Sequence, residues 1–420
     1  MPHMSRSFAA QLWVLVLAQV ALGLLLPTLV YPDTSSYAAF AIYRAPGYGL
    51  VLDGARLLAG DHWPRAIALF QGLMSGLAVR HLVRALHDRL RVPAGVALLL
   101  GAVLTLPQLT WIPSLLTESL CHSLFLCTFA ELVLALGDRP LRHFATVALA
   151  VVALIVLRPH YLFLAPVLLL PALAVAQRRR SARLALQLTV LFGGAVVVAN
   201  GAQILGNWVV SGIPSRTTSL GMHAAAVQFY LATPDELAIF TDPADRAQVE
   251  PLRDLMVRRQ LFQTSVPNLT DTVDGFNLVY DGIIYEGLLP QARQRLGRAD
   301  LSAADWVIFD KTTARFARTL ALHHPQVFAR HIVGQLRSAG AMLMLMTGAA
   351  LLGAWLWARR RSAEGLLIAT VAAMALANHL ELALVQLNRM RYVMTTDLTL
   401  VIVLLALVVR DVARAQPPPP

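Results

Sequence analysis

Asp33 lies in the stretch Tyr31-Pro32-Asp33-Thr34-Ser35-Ser36-Tyr37, directly after an apolar run long enough to be a membrane helix. An acidic side chain at such a helix exit is costly to hold near hydrocarbon, and it is seldom there without a partner or a role. Arg44-Ala45-Pro46-Gly47-Tyr48 follows closely, and its Pro-Gly turn signal folds the chain back along the membrane surface. A carboxylate fixed at the mouth of a helix bundle can accept the proton of a hydroxyl nucleophile as a new bond forms.

Other polar residues fall at apolar-run ends on the same side. Glu118 sits in Thr117-Glu118-Ser119, where one run begins, and Arg158 sits in Leu157-Arg158-Pro159-His160-Tyr161, between two more. His379 and Glu381 lie near the end of the penultimate run, and Arg389, Arg391 and Tyr392 precede the last one. Charges from five separate turns at one depth point to a convergent site. Each residue also has a plainer explanation. Asp33 can cap its own turn, and Glu118 can cap its own helix start. Arg158 and Arg391 can reach lipid phosphates, with Tyr392 as an aromatic anchor, and His379 can be a satisfied bundle histidine.

The elements that must position these residues are membrane spans. Hydrophobic residues make up 57% of the 420, charged residues only 14%, and mean hydropathy is +0.61. Soluble domains carry about 25% charged residues, which excludes an ordinary globular enzyme. Ten apolar runs are long enough to cross a bilayer, at about 8–30, 64–83, 93–110, 117–136, 143–157, 160–177, 184–206, 338–357, 365–387 and 393–410. The predicted class is thus an all-α polytopic membrane protein with about ten transmembrane helices.

Charge orients the spans. With the N-terminus inside, the cytoplasmic segments hold 16 arginines against Asp88, Asp138, Glu364 and Asp411, and the remainder of the chain is close to neutral. The whole +11 surplus lies on one side, as the positive-inside rule requires. The basic balance therefore reports topology, and no basic soluble module suggests a nucleic-acid partner. The expected location is an integral protein of a bacterial inner membrane, with both termini cytoplasmic and the site extracytoplasmic. The first run lacks a small-residue cleavage signal and reads as a retained span. Cys121 and Cys127, the only cysteines, are six apart on one helix and read as apolar fillers.

The predicted organisation has four parts. Residues 1–206 form a transmembrane module of seven spans, with a first loop at 31–63 that carries the catalytic acid. Residues 207–337 form an extracytoplasmic insert with helical signals. Thr233-Pro234-Asp235-Glu236 reads as a capping box, Asp242-Pro243 opens an amphipathic run to Phe262, and Ser302 caps a run that ends at His323-His324-Pro325. His323, His324 and Glu286 read as surface residues, and Asn268-Leu269-Thr270 is a glycosylation sequon. Residues 338–410 hold the last three spans, and 411–420 are a disordered, proline-rich tail.

Taken together, the acid after the first span, Arg44-x-Pro-Gly-Tyr48, Thr117-Glu118, Leu157-Arg158-Pro159 and Arg391-Tyr392 resemble polytopic glycosyltransferases of the GT-C fold. The branch with protein O-mannosyltransferases and aminoarabinose transferases is the most similar. The resemblance covers roughly residues 8–206 and, more loosely, 338–410; the insert has no matching motif. It implies a GT-C-like seven-helix module and inverting sugar transfer from a polyprenyl-phosphate donor to an extracytoplasmic lipid, glycan or protein acceptor. Asp33 falls at the family's first-loop catalytic acid, Glu118 at its second acid, and Arg391 at an arginine near the donor phosphate. Two departures bear on metal dependence and acceptor: Asp33 stands without a second first-loop acid, and Gly49 follows Tyr48 where proline is usual.

One carboxylate suffices for such a transfer, because a polyprenyl phosphate already leaves as a stable anion. Asp33 is the expected base and Glu118 the second catalytic acid. Arg44, Tyr48, Arg158, His160, His379, Arg391 and Tyr392 are the candidates for holding the donor phosphate or substrate. A divalent cation shared by Asp33 and Glu118 is possible, with no other cofactor implied. Membrane lipids are the remaining partner. Glycoside hydrolysis would need a carboxylate pair with water admitted, and a lipid-bound donor argues for transfer instead. Two alternatives stand: a transporter or flippase of lipid-linked saccharides, which would favour repeats and mid-membrane charges, and an O-antigen-type polymerase or ligase.

Overall fold

Close backbone approach sets up the start of the bundle. Helix Arg6–Leu25 packs along helix Trp63–Leu90, where Gly72 and Gly76 lie a helical turn apart against the first helix. A Cβ on Gly76 would lie 2.7 Å from the Val16 Cα, and one on Gly72 would meet the Gln19 carbonyl. Small residues four apart let two membrane helices touch backbone to backbone, where dispersion contacts must replace a hydrophobic driving force. Arg65 then donates to the Leu26 carbonyl at 2.6 Å and so satisfies an orphan acceptor at the end of the first helix.

The computed structural model describes residues 6–137, 139–265, 272–385 and 390–415, without the side chains of 272–274, 385 and 390–392. All regular structure among them is helical, apart from one isolated bridge between Leu29 and Ser114. Nine helices among the described residues are long and apolar enough to cross a membrane. The chain is an all-helical polytopic membrane protein.

The sequence-based count of ten is corrected at the third span. Only the 12 residues Ala94–Thr105 form a helix there, about 18 Å at 1.5 Å per residue against roughly 30 Å of hydrocarbon. Pro107 ends it, because proline has no N–H to continue the ladder, and a short turn of helix, Gln108–Trp111, follows. Other spans appear as Glu118–Ala135, Pro140–Leu157, Pro159–Arg178, Ala182–Ser211, Ala341–Arg360 and Ala363–Leu384. At one end of the bundle Arg89, Arg178 and Arg179 line a cleft with Trp357. At that end Glu131 also accepts from His81 at 2.8 Å and His143 at 2.7 Å, which satisfies an acid inside a span.

The opposite end carries the first loop and the insert. Helix Ala182–Ser211 runs beyond residue 206 before the chain enters the insert. Asp242 caps helix Pro243–Arg259 through the Ala244 and Asp245 N–H groups, and Ser302 with Asp305 forms a capping box on helix Ala303–His323. The Thr233–Glu236 box is made, with Thr233 N–H donating to Glu236 at 2.7 Å. It starts only the 3-10 turn Glu236–Ile239, after which Phe240 leaves helical backbone, and Asp242-Pro243 opens the next helix. Phe229, Tyr230, Phe262, Phe276 and Phe316 form a core of the insert's own, separate from that of the bundle. His324 belongs to this core rather than to the surface: it is 5% exposed, with its Nε2 3.1 Å from Gln228 Oε1. Glu286 is at the surface and pairs with Arg259 at 2.9 Å. The sequon Asn268-Leu269-Thr270 lies outside the described residues.

Candidate functional site

Asp33 and Glu118 are brought together by backbone. Leu29 N–H donates to the Pro113 carbonyl at 2.8 Å, and Leu115 N–H donates back to Leu29 at 2.9 Å. Thr34 adds a third tie: its hydroxyl donates to the Leu115 carbonyl at 2.8 Å while accepting from Tyr31 N–H at 3.0 Å. Helix Pro32–Ala38 begins with proline at its first position, where the missing N–H costs nothing. Asp33 sits in that first turn, and Glu118 is the first residue of its own helix. Both acids therefore stand at positive helix starts.

Helix Pro46–Ala59 returns along the bundle. Gly47 is required there, because a Cβ would lie 2.7 Å from the Val156 carbonyl oxygen. Tyr48 is fully buried and donates to Gln71 Oε1 at 3.1 Å, while Gln71 Nε2 donates to Ile112 at 2.8 Å and Ser114 at 3.0 Å. Tyr48 thus locks the first loop to the turn that precedes Glu118, and it does not line the cavity described next.

That cavity has a volume of about 1140 Å³ and lies between the first-loop end of the bundle and the insert. Its bundle wall holds Asp33, Arg44, Glu118, Arg158, His160 and Glu381. Arg44 forms an ion pair with Asp33 Oδ1, and its guanidinium also lies 5.2 Å from the Tyr37 ring centroid. Arg158 lies 3.4 Å from Glu118, whose side chain is only 7% exposed. His160 Nδ1 is 2.5 Å from Glu381 Oε2. Tyr37 stands between the two ion pairs and bonds to Thr117; burial raises its hydroxyl above the ordinary phenol value.

The insert closes the other side with His223, Tyr280, Asp281, Tyr285, Trp306, Asp310 and Lys311. Trp306 packs on Tyr43 of the first loop, with ring centroids 4.5 Å apart. Burial, reinforced by the positive charge of Arg44, lowers His223 to about 4, so its Nδ1 can accept from the Tyr280 hydroxyl. Asp310 accepts from Gly221 N–H at 2.8 Å, and burial still holds its carboxyl above the usual range. Tyr285 stands in the π-helical segment Gly282–Leu288, a geometry that often marks functional positions.

Among the residues singled out from sequence, Asp33, Arg44, Glu118, Arg158, His160 and Glu381 line this one cavity. His379 lies elsewhere, buried in the bundle with its Nε2 3.0 Å from Asp397. The side chains of Arg391 and Tyr392, and Arg389 as a whole, lie outside the described residues. Sequence reasoning did not give Tyr37, Tyr43, Trp306 or Lys311 a role. Lys311 carried one signal, since it is the only lysine in the chain.

Among the described residues no group of three or more His, Cys, Asp or Glu side chains is arranged to hold a metal ion. Asp33 and Glu118 each face a guanidinium instead. Among the described residues the site's charge is thus balanced by arginine. What the cavity can do is bind anionic groups beside arginines and present a carboxylate to a nucleophile. No family model matches this chain, and no curated protein matches it.

Proposed function

We propose that the protein is a membrane glycosyltransferase of GT-C type that moves a sugar from a polyprenyl-phosphate donor to a hydroxyl-bearing acceptor, with inversion. The observation that carries this reading is the pairing of two carboxylates with two arginines, Asp33 with Arg44 and Glu118 with Arg158, in one cavity at the end of an apolar bundle. The donor's lipid tail stays in the bilayer beside the helices while its phosphate reaches the cavity. With the arginine-rich end cytoplasmic, the cavity opens on the extracytoplasmic side of a bacterial inner membrane.

In this mechanism Asp33 is the general base. Arg44 holds Oδ1, and among the described residues no hydrogen-bond partner holds Oδ2. Oδ2 takes the acceptor proton as the acceptor oxygen bonds to the anomeric carbon and the carbon–phosphate-oxygen bond breaks. The departing phosphate keeps the electron pair. Arg158 stabilises that developing charge, worth roughly 3–4 kcal/mol for one well-aimed donor, and Glu118 orients Arg158. Tyr37, a protonated phenol, is placed to donate to the same oxygens.

The test is incubation of the purified protein with a panel of polyprenyl-phosphate sugars, read by mass spectrometry of donor and released polyprenyl phosphate. Consumption of one donor is expected, and Asp33→Asn is expected to abolish it while leaving the fold intact. A flippase would consume nothing. Near-normal turnover by a well-folded Asp33→Asn variant would overturn the role of the acid.

A further inference from the structure

The two walls of the cavity differ in how their cations are held. On the bundle wall both Arg44 and Arg158 face a carboxylate. On the insert wall stand Arg293 and Lys311, joined by Arg216 from the segment that leads into the insert, and among the described residues none of them pairs with a buried carboxylate. Arg216 donates to the neutral Oδ1 of Asn200 on the bundle helix Ala182–Ser211, at 3.2 Å, and has no carboxylate partner among the described residues. Arg293 reaches Asp300 at 3.4 Å, but that carboxylate is 92% exposed, and a pair so solvated contributes little. Lys311 has no hydrogen-bond or ion-pair partner among the described residues. Its neighbour Asp310 also lines the cavity but is turned to the Gly221 N–H, which leaves Asp281 as the one other acid of this wall.

The choice of residue is itself unusual. The chain uses arginine everywhere else and has a single lysine, which lines the cavity. A lysine presents a compact point charge on a flexible stem, suited to a tetrahedral oxyanion approached from several directions. Three cations from three segments match a doubly charged group better than a single carboxylate, which one guanidinium already saturates in bidentate fashion.

We propose that the cavity holds a second anion subsite beside the insert wall, in which Lys311 with Arg216 and Arg293 binds a phosphate group carried by the second substrate. Assigning that phosphate to the acceptor rests on the transferase reading above; the existence of the subsite does not. The acceptor hydroxyl would then lie between the walls, its phosphate on the insert and the donor phosphate at Arg158.

The unique lysine allows a test that needs no turnover. The full-length protein in lipid nanodiscs is acetylated with an amine-selective reagent, and modification of the Lys311 peptide is followed by mass spectrometry. Increasing inorganic pyrophosphate is present in one series and acetate in another, with ionic strength held constant by chloride. Loss of Lys311 labelling that saturates with pyrophosphate but not with acetate is expected. Arg293→Ala, which leaves the amine in place, is expected to remove that saturation. Equal protection by acetate, no protection at all, or protection unchanged in Arg293→Ala overturns the proposal. A wild-type protein that shows saturable protection but consumes no polyprenyl-phosphate sugar overturns the transferase reading and leaves the subsite standing.

Discussion

The Arg158 guanidinium lies 3.4 Å from the Glu118 carboxylate, joining the residue that ends one membrane helix to the residue that begins another. Glu118 is buried and Arg158 nearly so, and removing one partner of such a pair leaves the other as an uncompensated charge. The two substitutions should therefore differ in kind. Arg158→Ala is expected to lower turnover by about 10²–10³-fold through loss of leaving-group stabilisation. Glu118→Gln keeps a hydrogen-bond acceptor for Arg158 and is expected to cost less turnover. Single-turnover donor consumption measures both, and equal effects of the two would refute the division of roles.

Chelation separates arginine from metal as the charge that meets the donor phosphate. With guanidinium groups beside both acids, donor consumption is expected to persist in excess EDTA. Activity lost to EDTA and restored by a divalent cation would show that substrate phosphate brings a metal into the cavity, as magnesium sites with few protein ligands do.

Tyr48→Phe tests whether this residue holds structure or substrate. The change removes the hydroxyl that donates to Gln71 and leaves a buried amide oxygen without its partner. A cost of about 1–3 kcal/mol is expected, seen as a lower apparent melting temperature in detergent. The apparent donor affinity is expected to stay unchanged below that temperature, and a fall in it would place Tyr48 against the substrate.

Two buried histidines make the insert sensitive to acid. Burial, helped at His223 by Arg44, lowers both His223 and His331 to about 4, while an unfolded chain titrates near 6.5. The unfolded state therefore takes up protons first as pH falls. Stability should be complete above about 6.5 and decline toward 4, at up to roughly 1.4 kcal/mol per pH unit for each histidine. Melting curves across this window measure the slope, and His331→Leu should flatten it. A slope unchanged in that variant would remove His331 from the account.

The sequence by itself determined the membrane architecture. Apolar run length is a local quantity, so the spans could be read directly, and Asp242 and Ser302 announced helix starts because capping is local too. Where it misled, a local signal met a neighbour. Pro107 cut the third run short, and the Thr233 box starts only a single 3-10 turn before Phe240 leaves helical backbone. Asp33, Glu118 and Arg158 were recognisable because a charge at a span end is expensive and stands out. Their partners were not. Whether His379 faces the cavity or Asp397, or Tyr48 a substrate or Gln71, depends on helix rotation and on contacts between residues distant in sequence. The tertiary structure alone decided that the insert forms one wall of the cavity: charge topology put both on the same side of the membrane, but an aqueous helical segment carries no signal that says which part of the bundle face it packs against.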